Sequence, residues 1–131
     1  KKLLIINDSK STSFSSTVPL LENYKNIYWI LGGQAKKGDK FKLSKKYLSN
    51  VKAYIYGKDS DFLIKTLEKK IFCQKFSSLE KIIKNLNRII KKDNNKKVIL
   101  FSPSAASFDQ FENFEQRGKF FNKKVKQILI N

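Results

Sequence analysis

Short continuous apolar runs alternate along this chain with segments whose apolar residues recur every three or four positions. The runs are Lys2–Ile6, Asn26–Leu31, Val51–Tyr56, Ile71–Phe76 and Val98–Phe101. Apolar stretches this short mark strands buried on both faces, with Ile71–Phe76 the more exposed one. Between them, Ser78 caps the clearest helix. Its Leu79, Ile82, Ile83, Leu86, Ile89 and Ile90 form one apolar stripe, and Asp93-Asn94-Asn95 ends it. Thr17 is expected to cap a short helix with Pro19 in its first turn, ending near Tyr24. Phe41–Leu48 reads as a helix with Phe41, Tyr47 and Leu48 inward. Asp59 or Ser60 caps another helix through Lys69, and the last helix carries Phe121, Val125, Ile128 and Leu129 on one face. This alternation predicts one α/β domain over residues 1–131. It has three layers: a mostly parallel sheet of five to six strands with helices on both faces.

In such a sheet the loops after the strands share one edge, where ligands bind. Three of these loops are rich in anion-binding groups. The first holds Asp8, Ser9, Lys10, Ser11 and Thr12. The second holds Gly32, Gly33, Lys36 and Lys37. The third, Ser102 to Gly118, breaks at Pro103, carries Ser104, Ala105, Ala106, Ser107 and Phe108, and starts a new element near Asp109. Lysines and hydroxyls converging there suit a small dianion, at about 1.5–3 kcal/mol per charge-assisted hydrogen bond. The segment Gly33–Lys40 nearly matches the phosphate loop G-x-x-x-x-G-K-[ST]. However, Asp39 stands where that loop needs Lys, and Lys40 where it needs a hydroxyl for Mg²⁺, so nucleotide hydrolysis by this segment is excluded. Asp8 and Asp109, far apart in sequence, are weak as a metal pair, and no metal site is expected.

Composition narrows the chemistry. There is no His and a single Cys, Cys73, so general acid–base work falls to Lys, Asp, Glu or Tyr, and neither an internal disulfide nor a multi-thiolate site is available. No apolar run approaches the roughly 20 residues of a membrane span, and the start lacks signal-peptide architecture. The absence of Met suggests a piece lacking its natural start. The net charge of +17 allows a polyanion partner. Yet only Arg88 and Arg117 are arginines, and the lysines spread through every segment, so a nucleic-acid-binding module is the weaker alternative.

Three blocks then carry a resemblance. They are Ile6-Asn7-Asp8-Ser9-Lys10-Ser11-Thr12; Trp29-Ile30-Leu31-Gly32-Gly33 followed by Lys36; and Ser102-Pro103 with Ala106-Ser107-Phe108-Asp109-Gln110-Phe111 and Asn113-Phe114-Glu115-Gln116-Arg117-Gly118. In order and spacing they resemble the C-terminal domain of the D-glutamate-adding Mur ligases. The resemblance implies a Rossmann-like domain of a bacterial, cytoplasmic, monomeric enzyme of peptidoglycan-precursor synthesis. Its substrates are ATP, D-glutamate and UDP-N-acetylmuramoyl-L-alanine, with ATP and Mg²⁺ held mainly by a central domain that this chain lacks. The reaction passes through an acyl phosphate, and the isolated domain is expected to be inactive. By position, Thr12, Lys36, Ser107, Phe108 and Phe114 would hold D-glutamate, the two Phe mainly through backbone. Lys10 would serve catalysis and the nucleotide phosphates, and Asp8 the ribose. Ser13 stands where the family commonly has Asn, and Ser11 and Ser104 replace residues that are often Ala. A related ligase adding another amino acid, or acting on folate, remains the alternative within the family.

Overall fold

The computed structural model describes residues 2–107 and 110–130. Five strands form one sheet: β1 (Leu3–Asn7), β2 (Ile27–Gly32), β4 (Val51–Tyr56), β5 (Phe72–Lys75) and β6 (Lys97–Phe101). They lie in the order β1-β6-β2-β4-β5, and every neighbouring pair is parallel. A second, two-stranded sheet pairs β3 (Gln34–Ala35) with β7 (Ala105–Ala106) antiparallel. The helices are α1 (Phe14–Asn23), α2 (Ser60–Leu67), α3 (Leu79–Lys91) and α4 (Phe114–Ile128).

Strand β2 shows why the apolar runs are continuous. All six of its residues are buried. Trp29 and Leu31 face a core shared with Phe14 and Leu21 of α1 and Leu63 and Leu67 of α2. Tyr28 and Ile30 face the opposite core, built with Ile82, Ile83 and Leu86 of α3 and Phe121 and Val125 of α4. Each such side chain contributes roughly 1.5–3 kcal/mol by leaving water. Phe101 of β6 stacks on Phe121 at 4.4 Å between ring centroids, which fixes α4 against the sheet. This is the α/β sheet with helices on both faces that the alternation implies.

Three segments differ from expectation. Phe41–Leu48 is not an α-helix: residues 41–44 are irregular, and a 3-10 turn follows at Lys45–Asn50. Phe41 and Leu43 are both buried with Lys42 exposed between them, so the spacing that matters is two residues. Phe41 stacks on Trp29 at 5.7 Å, and that core position outweighs helical propensity. Helix α1 begins at Phe14, three residues before Thr17, which puts Pro19 in its interior. Thr17 is fully buried, and its hydroxyl serves tertiary contacts rather than a cap. The element expected near Asp109 begins at Phe114, with Asn113 accepting from the Gln116 N–H; Asp109 itself lies outside the described residues. By contrast, α3 starts where its cap and apolar stripe imply, with Ser78 accepting from the Lys81 N–H.

Candidate functional site

The chain leaves β1 toward α1 in one layer and leaves β6 toward α4 in the other, although β1 and β6 are neighbours. That reversal opens a crevice at the carboxyl ends of the strands. A web of hydrogen bonds closes its floor. Ser102 Oγ donates to Asp8 Oδ2 at 2.8 Å and lies 3.0 Å from Ser11 Oγ. Thr17 Oγ1 lies 2.5 Å from Ser102 Oγ and 2.6 Å from Ser104 Oγ. Ser104 N–H donates to Ser11 Oγ at 2.9 Å. These bonds hold Ser104 in the left-handed region at φ 58, a conformation that costs a non-glycine residue about 1–3 kcal/mol. The first and third loops are thereby fastened together.

Arg117 fastens them again. It is fully buried. Its guanidinium donates to the carbonyl oxygens of Ser9 at 2.6 Å, Ser11 at 3.3 Å and Ala105 at 2.8 Å, and to Ser9 Oγ at 3.2 Å. The sequence offered one clue to this: Arg117 is one of only two arginines, in a chain that otherwise uses Lys.

The second loop reaches the third through Gly33. At φ 125, a Cβ there would sit 2.4 Å from the Ala106 carbonyl oxygen, so only glycine lets Gln34 pair with Ala106. The Ala35 N–H donates to Asp59 Oδ2 at 2.8 Å, which pins the strand from the other side. No periodicity could have signalled β3 or β7, since each has two residues.

Thr12 and Lys36 come together. With Gln34, Ala35 and Ala106 they line a shallow groove of about 410 Å³. Both are exposed, and Lys36 forms no ion pair with a described residue. Ser107 follows Ala106 directly and is buried, and its hydroxyl bonds to no described residue. Phe108 lies outside the described residues. Lys10 and Phe114 sit elsewhere, lining a separate depression of about 340 Å³ with Asn7, Ser9, Glu115, Gly118, Lys119 and Asn122. The Phe114 carbonyl accepts from Ser9 Oγ at 2.7 Å, and the residue is 41% exposed. Asp8 is committed to Ser102 on one carboxylate oxygen.

The nearby carboxylates Asp8, Asp39 and Asp59 each accept a protein hydrogen bond. Their donors are neutral, so the three carboxylates keep their charge beside the exposed Lys10, Lys36 and Lys37. No group of three acidic, Cys or His side chains able to hold a metal occurs among the described residues, nor a helix long and apolar enough to cross a membrane.

Fold and rim together define an α/β domain with a lysine-bearing groove at the carboxyl ends of its strands. No family model matches the chain. Curated relatives do. A UDP-N-acetylmuramoylalanine–D-glutamate ligase of Wolbachia sp. subsp. Brugia malayi (strain TRS) is 36% identical over 128 residues, 98% of this chain and 26% of its own length. The ligase of the same name from Wolbachia pipientis wMel is 33% identical over 131 residues, all of this chain and 26% of its own. That of Paramagnetospirillum magneticum (strain ATCC 700264 / AMB-1) is 36% identical over 121 residues, 92% of this chain and 26% of its own. The chain is thus similar to the UDP-N-acetylmuramoylalanine–D-glutamate ligases along nearly all of its own length, and it spans about a quarter of the length of these relatives.

Proposed function

We propose that this chain is the C-terminal, D-glutamate-binding domain of a cytoplasmic bacterial ligase that adds D-glutamate to UDP-N-acetylmuramoyl-L-alanine. The observation that carries this reading is the groove shared by Thr12, Lys36 and Ala106, the residue before Ser107. Lys36 pairs with one carboxylate of the amino acid. The Thr12 hydroxyl and the hydroxyl and backbone of Ser107 give neutral hydrogen bonds to the other. With both carboxylates gripped, the amino group stays unbound, as a nucleophile must.

ATP and Mg²⁺ supply the phosphoryl group that activates the alanyl carboxylate. Their main binding residues belong to other parts of the ligase, because the Gly33–Lys40 segment does not fit phosphates and the aspartates here are engaged within the protein. In this reading Lys10, in its separate depression, faces the nucleotide side, with Asp8 at the ribose.

The test is Lys36→Ala in the full-length ligase, following ADP release against D-glutamate concentration. The expected result is a KM for D-glutamate raised at least about tenfold, the loss of one charge-assisted bond. An unchanged KM removes Lys36 from the site and, with it, this reading.

A further inference from the structure

Asp39 is the residue that disqualifies Gly33–Lys40 as a phosphate loop, and the structure gives its carboxylate another task. Asp39 Oδ2 accepts from the Phe14 N–H at 2.6 Å, across 25 residues. Phe14 is the first residue of α1, and its N-cap, Ser13, makes no side-chain cap bond. A carboxylate from the second loop thus serves the helix end that the local sequence leaves open. The Asp39 N–H also donates to the Lys36 carbonyl at 3.1 Å, closing a turn with Gly38 at φ 82. A turn of this shape takes glycine at its third position.

One residue therefore grips the Lys36 turn with its backbone and the start of α1 with its side chain. Thr12 lies two residues before Phe14. Upstream, the Ala35 N–H is held by Asp59. Lys36 is pinned on both sides by aspartates, but only Asp39 ties it to the loop that carries Thr12. The helix N-terminus also partly offsets the Asp39 charge.

We infer that Asp39 is a positioning residue that fixes Lys36 relative to Thr12 and so sets the width of the groove for a dicarboxylic amino acid. The inference rests on the D-glutamate reading above. Its chemistry is geometric, since misplacing a charged contact by about 1 Å can cost up to two orders of magnitude.

The experiment uses the full-length ligase with Asp39→Ala, Asp39→Asn and Asp39→Glu, alongside Lys36→Ala, and measures ADP formation against both D-glutamate and ATP. Asp39→Ala is expected to raise the KM for D-glutamate about tenfold, with kcat and the KM for ATP within about twofold. Asp39→Asn keeps an acceptor for Phe14 and is expected to stay within about threefold of the parent. Asp39→Glu keeps acceptor and charge but displaces the turn by one methylene, and should give an intermediate rise even if the Ala variant fails to fold. An unchanged KM for D-glutamate in Asp39→Ala, or in Asp39→Glu should Ala not fold, overturns the inference. So does a lowered KM in both Ala and Asn, which would make Asp39 a repelling charge. If Lys36→Ala raises KM and the Asp39 variants do not, only the positioning role falls. If Lys36→Ala changes nothing, the D-glutamate site itself falls.

Discussion

Arg117 Nη2 lies 2.6 Å from the carbonyl oxygen of Ser9, joining residues 108 positions apart in the chain. The same guanidinium reaches Ala105 and Ser11. A buried cation satisfied by carbonyl dipoles holds two strand-end loops at one separation. Truncating it leaves several carbonyls buried without donors. Arg117→Met is expected to destabilise the domain by about 3 kcal/mol, and Lys in its place to recover only part, since an ammonium cannot match the planar fork. Urea unfolding followed by circular dichroism measures this, and a loss below about 1 kcal/mol would contradict the bracing role.

Gly33 brings the second loop against the backbone of Ala106 in the third. Gly33→Ala drives a Cβ toward the Ala106 carbonyl in a backbone region that L-residues avoid. The expected cost is about 2 kcal/mol or more, with faster amide exchange across residues 34–35 and 105–106, the β3–β7 pair. Parent-like exchange there would show that the pair tolerates a side chain.

Thr17→Val keeps the shape of the side chain and removes the hydroxyl between Ser102 and Ser104. Both serines stay buried. The expected loss is about 1–3 kcal/mol in urea unfolding. A parent-like midpoint would mean that the serines satisfy each other without Thr17.

The amino ends of the strands carry a pH-sensitive pair. Tyr28 donates its phenol to Asp93 Oδ2 at 2.7 Å, Asn26 donates to the same oxygen at 3.0 Å, and the Asn95 N–H reaches Oδ1. The phenol first, then the two amides, hold the Asp93 carboxyl well below the usual carboxylate range. Because the folded value is the lower one, this stabilisation is present above about pH 4 and is lost as the pH falls further. The Tyr28 phenol is pushed above its ordinary value, by burial first and by Asp93 next. Its share is present below about pH 10 and is lost as the pH climbs beyond. Tyr28→Phe should move the Asp93 titration, read by carbon NMR of the carboxyl, back toward the ordinary range. It should also make the acid limb of the stability curve shallower. An unmoved titration would deny the phenol its leading part.

What the sequence reveals depends on how local the cause is. Helix α3 is readable because Ser78 and six apolar residues act within one segment. Strands β2 and β6 are readable because both faces of the sheet are covered there, which makes their runs continuous, whereas the edge strand β5 is largely exposed. Phe41–Leu48 misleads because Phe41 answers to Trp29 rather than to its neighbours in sequence. Thr17 looks like a cap because hydroxyls favour caps, yet its partners Ser102 and Ser104 are 85 and 87 residues away. At the candidate groove, Thr12 and Lys36 stand in loops whose composition and resemblance already single them out, and the fold brings the two together. The supports of that site, Arg117, Asp39 and Gly33, act across long separations, and only coordinates reveal what they touch.

Strand β6, made of Lys97–Phe101, sits between β1 and β2, though it is the last strand of the main sheet to be synthesised. A nascent chain stalled before it would hold two strands with an empty slot between them and apolar surface open to water. The main sheet therefore closes only after β5 and α3 have been followed by β6, and a version of this domain cut off after residue 96 should be a client for chaperones rather than a smaller folded unit.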